Sequence, residues 1–209
     1  MPVSWRTTSG TGGPASGPGP PEPELDPFER AALLGVARAA VRAAVMGHSP
    51  PPLPDLPPRL REPAGAFISL HVGTALRGCI GSVAPEGPLA DLVTRMSAAA
   101  ATGDPRFLPV HPDELSQLEI EISILSPALP ISPDQLEPVR HGASIRLGPH
   151  RGVLLPQVAA RLGWDRPALL AALCEKAGLP PEAWRDPDAV VLAFTITTID
   201  GPLEEPSSP

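Results

Sequence analysis

Apolar residues recur at helical spacing over 27–46 and alternate with polar ones over 117–125 and 189–199; these three stretches frame the chain. Asp26 offers an N-cap, Pro27 stands at the first helical position, Glu29 completes a capping-box pattern and Gly47 supplies a stop. Leu33, Val36, Ala37, Ala40, Val41, Ala44 and Val45 form the stripe this helix buries, and Arg30, Arg38 and Arg42 fall outside it as a solvated face. A second helix is predicted over 88–101, closed by Gly103, with a run of small residues that implies a tight neighbour. In 117–125, Leu118, Ile120, Ile122 and Ile124 point inward and Glu119, Glu121 and Ser123 outward. The β-branched run 189–199 predicts one C-terminal strand with Val190, Leu192, Phe194 and Ile196 on one side.

Residues 65–72 and 75–81 read as a hairpin around Gly73-Thr74, whose leading glycine suits a type II′ turn. With Val72 opposite Ala75, Cys79 falls opposite Ile68 and Arg77 opposite Leu70, so Arg77 and Cys79 share one face and His71 takes the other. Ser132 opens a capping box for a short helix; 141–147 and 152–155 are short strands; 156–162 and 165–177 are helices, the second capped by Asp165 and stopped by Gly178. The proline-rich stretch 48–63 is an extended connector, residues 1–25 form a disordered Pro/Gly-rich leader and residues from 201 a loose tail. Strands with one solvated face beside helices give an α+β class, an antiparallel sheet backed by helices.

The 209 residues suffice for one large domain or two small ones, and 42% hydrophobic against 19% charged residues indicates a packed core. A formal charge of −7 disfavours nucleic acid as a partner. No apolar run nears the roughly 18 residues that span a bilayer, and no signal-peptide stretch opens the chain, which points to the cytoplasm. Two cysteines without a CxxC pair fit a reducing compartment. The sequence contains no HxH, HExxH, P-loop or strand-linked GxGxxG pattern, so neither a metal nor any other cofactor is indicated.

Chemistry concentrates in Leu76-Arg77-Gly78-Cys79-Ile80-Gly81. An arginine beside a cysteine favours thiolate over thiol, and Gly78 and Gly81 leave the sulfur and nearby backbone uncovered, so Cys79 and Arg77 are the catalytic candidates. The ordinary alternative is a cysteine packed as a small hydrophobe. Asp104-Pro105-Arg106-Phe107 reads first as a turn held by a local salt bridge; functionally, Arg106 adds a second guanidinium to Arg77 and makes an anion pocket, which His111 joins. None of His48, His71, His111, His141 and His150 is placed as a general base by spacing. Cys174 belongs to a core, and Trp164 and Trp184 pack down the helix between them.

LRGCIG at 76–81, DPRF at 104–107, IEISIL at 120–125 with its neighbours, RGVLLPQV at 151–158, GWD at 163–165 and CEKAGL at 174–179 together resemble one family, AMMECR, called protein A of the AmmeMemoRadiSam system in prokaryotes. The resemblance spans about Pro27 to Asp200. It implies an α+β protein with a larger domain from 26–125 and 185–200 and a smaller one from 126–184, the motif lying near a cleft between them. It also implies association with Memo-type and radical-SAM proteins as partners, and it brings no settled activity. The leading expectation is a reactive-thiol site: Cys79 with Arg77, and a binding set of Gly78, Gly81, Asp104, Arg106 and His111 for an anionic small molecule or modified residue. The alternatives are a non-catalytic module that binds a protein, or less favourably RNA, through the same surface, and a scaffold beside the two partners.

Overall fold

The computed structural model describes residues 20–204, whose contacts separate into two units, one from Pro20 to Ala128 resuming at Phe194, the other Leu129–Ala193. In chain order the strands are β1 (Gly65–Val72), β2 (Ala75–Ser82), β3 (Leu118–Leu125), β4 (Leu129–Pro130), β5 (Gly142–Leu147), β6 (His150–Leu154), β7 (Val190–Phe194) and β8 (Ile196–Pro202). The helices are α1 (Pro27–Val45), α2 (Leu89–Thr102), α3 (Pro156–Leu162) and α4 (Arg166–Lys176). The class is α+β, with two four-stranded sheets ordered β2-β1-β3-β8 and β4-β7-β5-β6. No helix among the described residues is long and apolar enough to cross a membrane.

In the longer unit, α1 starts as its sequence requires: the Asp26 carboxylate accepts the Glu29 N–H at 2.8 Å and the Glu29 carboxylate accepts the Asp26 N–H at 3.0 Å. Its buried stripe joins α2 and the inward row Ile68, Leu70, Ile120, Ile122, Ile124 and Ile199 in one core. Two of the arginines expected to be merely solvated tie the helix down. Arg30 donates to the carbonyls of Leu25 at 3.0 Å and Thr198 at 3.3 Å, and Arg38 to that of Pro202 at 2.8 Å.

The turn between β1 and β2 has the expected form, Val72 opposite Ala75 with Gly73 at φ +57° and no non-glycine residue at positive φ among those described. The register beyond it corrects the sequence reading. A bulge at Arg77 shifts the pairing, so Leu70 faces Gly78 and Ser69 faces Cys79. Because β3 pairs Glu121 with Ser69 and Ile120 with Leu70, Cys79 belongs to the polar face of Ser69 and Glu121, opposite the apolar row. His71, two residues from Ser69, shares that face rather than lying across from Cys79.

Three further expectations change. The predicted strand 189–199 is two strands in different sheets. Ser126 ends the first of them: its hydroxyl accepts the Thr195 N–H and its own N–H donates to the Thr195 carbonyl, both at 3.0 Å, using up the backbone groups that would continue one ladder. The capping box at Ser132 yields only a 3-10 turn over Pro133–Gln135, because the Ser132 hydroxyl donates to the Asp134 carboxylate instead of capping. Part of each presumed loose end is docked. Pro21 and Pro23 carbonyls accept from the Thr195 and Thr197 hydroxyls at 2.8 and 2.6 Å, Leu25 is buried, and Leu203 is buried with its N–H on the Leu118 carbonyl at 2.7 Å. Residues 1–19 and 205–209 lie outside the described residues.

The second unit packs Ile145, Leu169, Leu170, Leu173, Cys174 and Val191 into its own core, with Trp164 and Trp184 partly buried against it. Cys174 is fully buried, and desolvation pushes its thiol up from the ordinary value.

Candidate functional site

β2 is an edge strand, and at Cys79 its outward backbone groups need partners from outside the sheet. They find them in the turn after α2. The Cys79 N–H donates to Asp104 Oδ2 at 2.8 Å, and the Cys79 carbonyl accepts from Arg106 Nη2 at 3.0 Å. Outward-pointing backbone makes Cys79 and Ser69 a non-hydrogen-bonded pair, the kind that brings side chains closest. Accordingly the Ser69 hydroxyl donates to Cys79 Sγ at 3.3 Å. Cys79 itself is half-buried.

Asp104 and Arg106 are locked to each other. Arg106 Nε reaches Oδ1 at 2.9 Å and Nη2 reaches Oδ2 at 2.7 Å, while the Arg106 N–H adds a third bond at 3.1 Å. The Asp104 side chain is 2% exposed, that of Arg106 56%. The Arg106 hydrogen bonds, helped by the Cys79 and Arg106 N–H groups and opposed by burial, hold the Asp104 carboxyl well below the usual carboxylate range. Arg106 is raised in turn, chiefly by Asp104 against the cost of burial, with a smaller contribution from the Cys79 sulfur. The cation at the Cys79 backbone is Arg106.

Arg77 is occupied elsewhere. Its Nε and Nη2 hold Glu114 at 2.7 and 2.9 Å, and Nη1 and Nη2 donate to the carbonyls of Leu108 at 2.7 Å and Pro109 at 3.1 Å. Glu114 also accepts the His111 N–H at 2.7 Å, within a capping box that starts a 3-10 turn over Pro112–Gln117. The Arg77 hydrogen bonds hold Glu114 below its ordinary value, burial opposing. His111 thus meets Arg77 through Glu114, and its imidazole is exposed, 3.2 Å from Asp113. The two guanidiniums expected to form an anion pocket each carry a carboxylate of the protein. Glu114 and Ser69 escaped the sequence reading; the His111-x-x-Glu114 spacing was a usable signal for the first, whereas the second emerges only once the bulge sets the register.

The glycines answer to packing. A Cβ on Gly78 would stand 2.1 Å from the Ala100 carbonyl oxygen of α2, on the face away from the Cys79 side chain. One on Gly81 would stand 2.5 Å from both the Ala66 carbonyl oxygen and the Phe67 ring. An apolar groove of about 320 Å³ between α1 and Pro50–Pro54 does not include Cys79. Among the described residues no group of three or more His, Cys, Asp or Glu side chains is arranged to hold a metal ion.

The AMMECR1 family model matches residues 34–199. A protein of Thermococcus gammatolerans is 41% identical over 175 residues, covering 78% of this chain and 85% of its own. One of Methanothermobacter thermautotrophicus is 40% identical over 172 residues, covering 78% and 88%. The crystal structure of the uncharacterised protein PH0010 from Pyrococcus horikoshii superposes with a TM-score of 0.76 at 36% identity, over 88% of this chain and 96% of that one.

Proposed function

The chain belongs to the AMMECR1 family, and from the geometry of its LRGCIG segment we propose that it works through the Cys79 sulfur, as a nucleophile or covalent acceptor toward an electrophilic carbon of a small molecule or modified residue. One observation carries this reading: both backbone groups of Cys79 are clamped by Asp104 and Arg106, while the residue stays half-buried and its sulfur accepts from the Ser69 hydroxyl. A fixed backbone holds the sulfur in one position, and Arg106 and Ser69 face negative charge that develops there as the proton leaves to solvent. The sulfur's electron pair forms the new bond to carbon, and the leaving group departs with the pair of the bond that breaks. Arg106, not Arg77, is the cation in this scheme; Arg77, Glu114 and His111 fix the loop that carries it. Memo-type and radical-SAM proteins are the proposed partners that supply or consume the modified group.

Limiting iodoacetamide tests the reading on the full chain, with buried Cys174 as the internal control. Mass spectrometry is expected to find Cys79 alkylated several-fold faster than in the unfolded chain, Cys174 unlabelled, and an Arg106→Ala protein slowed at Cys79. Native labelling no faster than unfolded labelling removes the reading.

A protein-binding role has its own support in Leu108, which is 83% exposed although Arg77 fixes its carbonyl, so an apolar side chain is presented from an ordered loop. Purified Memo-type protein that binds the wild type and the Cys79→Ser protein equally, but not Leu108→Asp, would favour that role over thiol chemistry.

A further inference from the structure

RGVLLPQV contributes an arginine that the site around Cys79 does not use. The segment 138–164 contains Arg140, Arg146, Arg151 and Arg161 and no aspartate or glutamate, within a chain of formal charge −7. Arg140 lies 3.5 Å from Glu137; the side chains of the other three have no hydrogen bond or ion pair with any described residue. Arg146 and Arg151 face each other directly across the β5–β6 hairpin.

Their placement follows from the turn. Leu147 and His150 close a two-residue loop at Gly148-Pro149, which makes the next pair, Arg146 and Arg151, a non-hydrogen-bonded one with Cβ atoms roughly 4.5–5.5 Å apart. The pair beyond, Ile145 and Gly152, faces α4, where a Cβ on Gly152 would stand 2.6 Å from the Leu173 carbonyl oxygen. Arg146 and Arg151 therefore project from the opposite face, and both are exposed. Ser144, two residues before Arg146, adds a hydroxyl on that face.

Like charges directly opposite across a ladder oppose folding unless something neutralises them. A carboxylate would balance one of the two guanidiniums; a phosphate group, with roughly −1.5 to −2 charge at neutral pH and three acceptor oxygens, matches both forks at once. We propose that Arg146 and Arg151 form a phosphate-binding clamp on the β5–β6 hairpin, taking the phosphate group of a phosphorylated ligand. It lies in the other unit from Cys79 and does not depend on the thiol reading.

Titration calorimetry of the full chain with inorganic phosphate tests the clamp. Saturable binding is expected, competed by sulfate, with acetate at least about tenfold weaker because it supplies one charge. Arg146→Gln and Arg151→Gln each weaken phosphate about tenfold or more, while Arg161→Gln, the same loss of charge on α3 outside the cross-strand pair, stays within about twofold. Glycerol 3-phosphate and a phosphoserine peptide separate the sources: one of the two binds more tightly than inorganic phosphate. Should either variant fail to fold, phenylglyoxal modification of the wild type still decides, since phosphate is expected to protect Arg146 and Arg151 but not Arg161. No saturation by about 50 mM, equal losses in all three variants, acetate as tight as phosphate, or absent protection each overturns the clamp.

Discussion

Substituting Gly78 by alanine separates two readings of the LRGCIG glycines, one in which they uncover the sulfur and one in which they let α2 approach the sheet. The added methyl would sit 2.1 Å from the Ala100 carbonyl oxygen, about 0.9 Å inside the 3.0 Å that real Cβ contacts keep. Backbone stands on both sides, so a rotamer change cannot relieve it; α2 must move away from β2 by most of that distance. A gap of that size forfeits about a quarter to a half of the dispersion energy of the contacts it opens. Leu92, Val93, Ala100 and Ala101, which α2 buries in the core, share the loss. The expected cost is at the top of the overpacking range, about 3 kcal/mol. Gly35→Ala is the matched control: nothing lies within 4 Å of its added Cβ in the middle of α1, so the change is expected to stabilise by about 0.5–1 kcal/mol through backbone entropy. Urea denaturation followed by far-UV circular dichroism, with iodoacetamide kinetics on the same proteins, provides the assay. A Gly78→Ala midpoint equal to wild type together with slowed alkylation of Cys79 would refute the packing argument and restore the open-sulfur one.

Arg77→Lys replaces a fork that serves two Glu114 oxygens and two carbonyls by one ammonium; a loss of about 1–3 kcal/mol and faster hydrogen exchange over 108–114 are expected, with Cys79 alkylation within about twofold of wild type. A tenfold fall in alkylation would instead make Arg77 the activating cation. His141 is 1% exposed, accepts the Glu137 N–H on Nδ1 at 3.2 Å and leaves Nε2 without a partner among the described residues, and burial lowers its pKa from 6.5 despite the Glu137 charge. The unfolded chain therefore takes up the proton first as pH falls below 6.5, and stability drops by up to about 1.4 kcal/mol per pH unit until the folded pKa is reached. Trp164 and Trp184 fluorescence in a Trp5→Phe background reports this loss, and His141→Leu is expected to flatten it.

What the sequence made legible is what local periodicity encodes. The Asp26 capping box, the Ile120-Ile122-Ile124 alternation and the Asp165 cap each declare themselves within a few residues, and the structure places α1, β3 and α4 accordingly. The bulge at Arg77 leaves no such trace, because alternation is silent across Gly78 and the shift is fixed by a helix carbonyl twenty-two residues away at Ala100. The division at Thr195 is hidden for a like reason: the β-branched run is unbroken, and the break comes from Ser126, sixty-nine residues earlier. The candidate site divides along the same line. Motif reading brought out Cys79, Asp104 and Arg106, which do meet, but the roles of the two arginines depend on which carboxylate each finds, and that is long-range information. Arg106 finds Asp104 two residues away and is carried to the Cys79 backbone; Arg77 finds Glu114 thirty-seven residues on and is carried off it. A one-residue slip in an edge strand thus decides which cation reaches the Cys79 backbone, and the setting of Cys79 depends on the packing of α2 as much as on the motif itself.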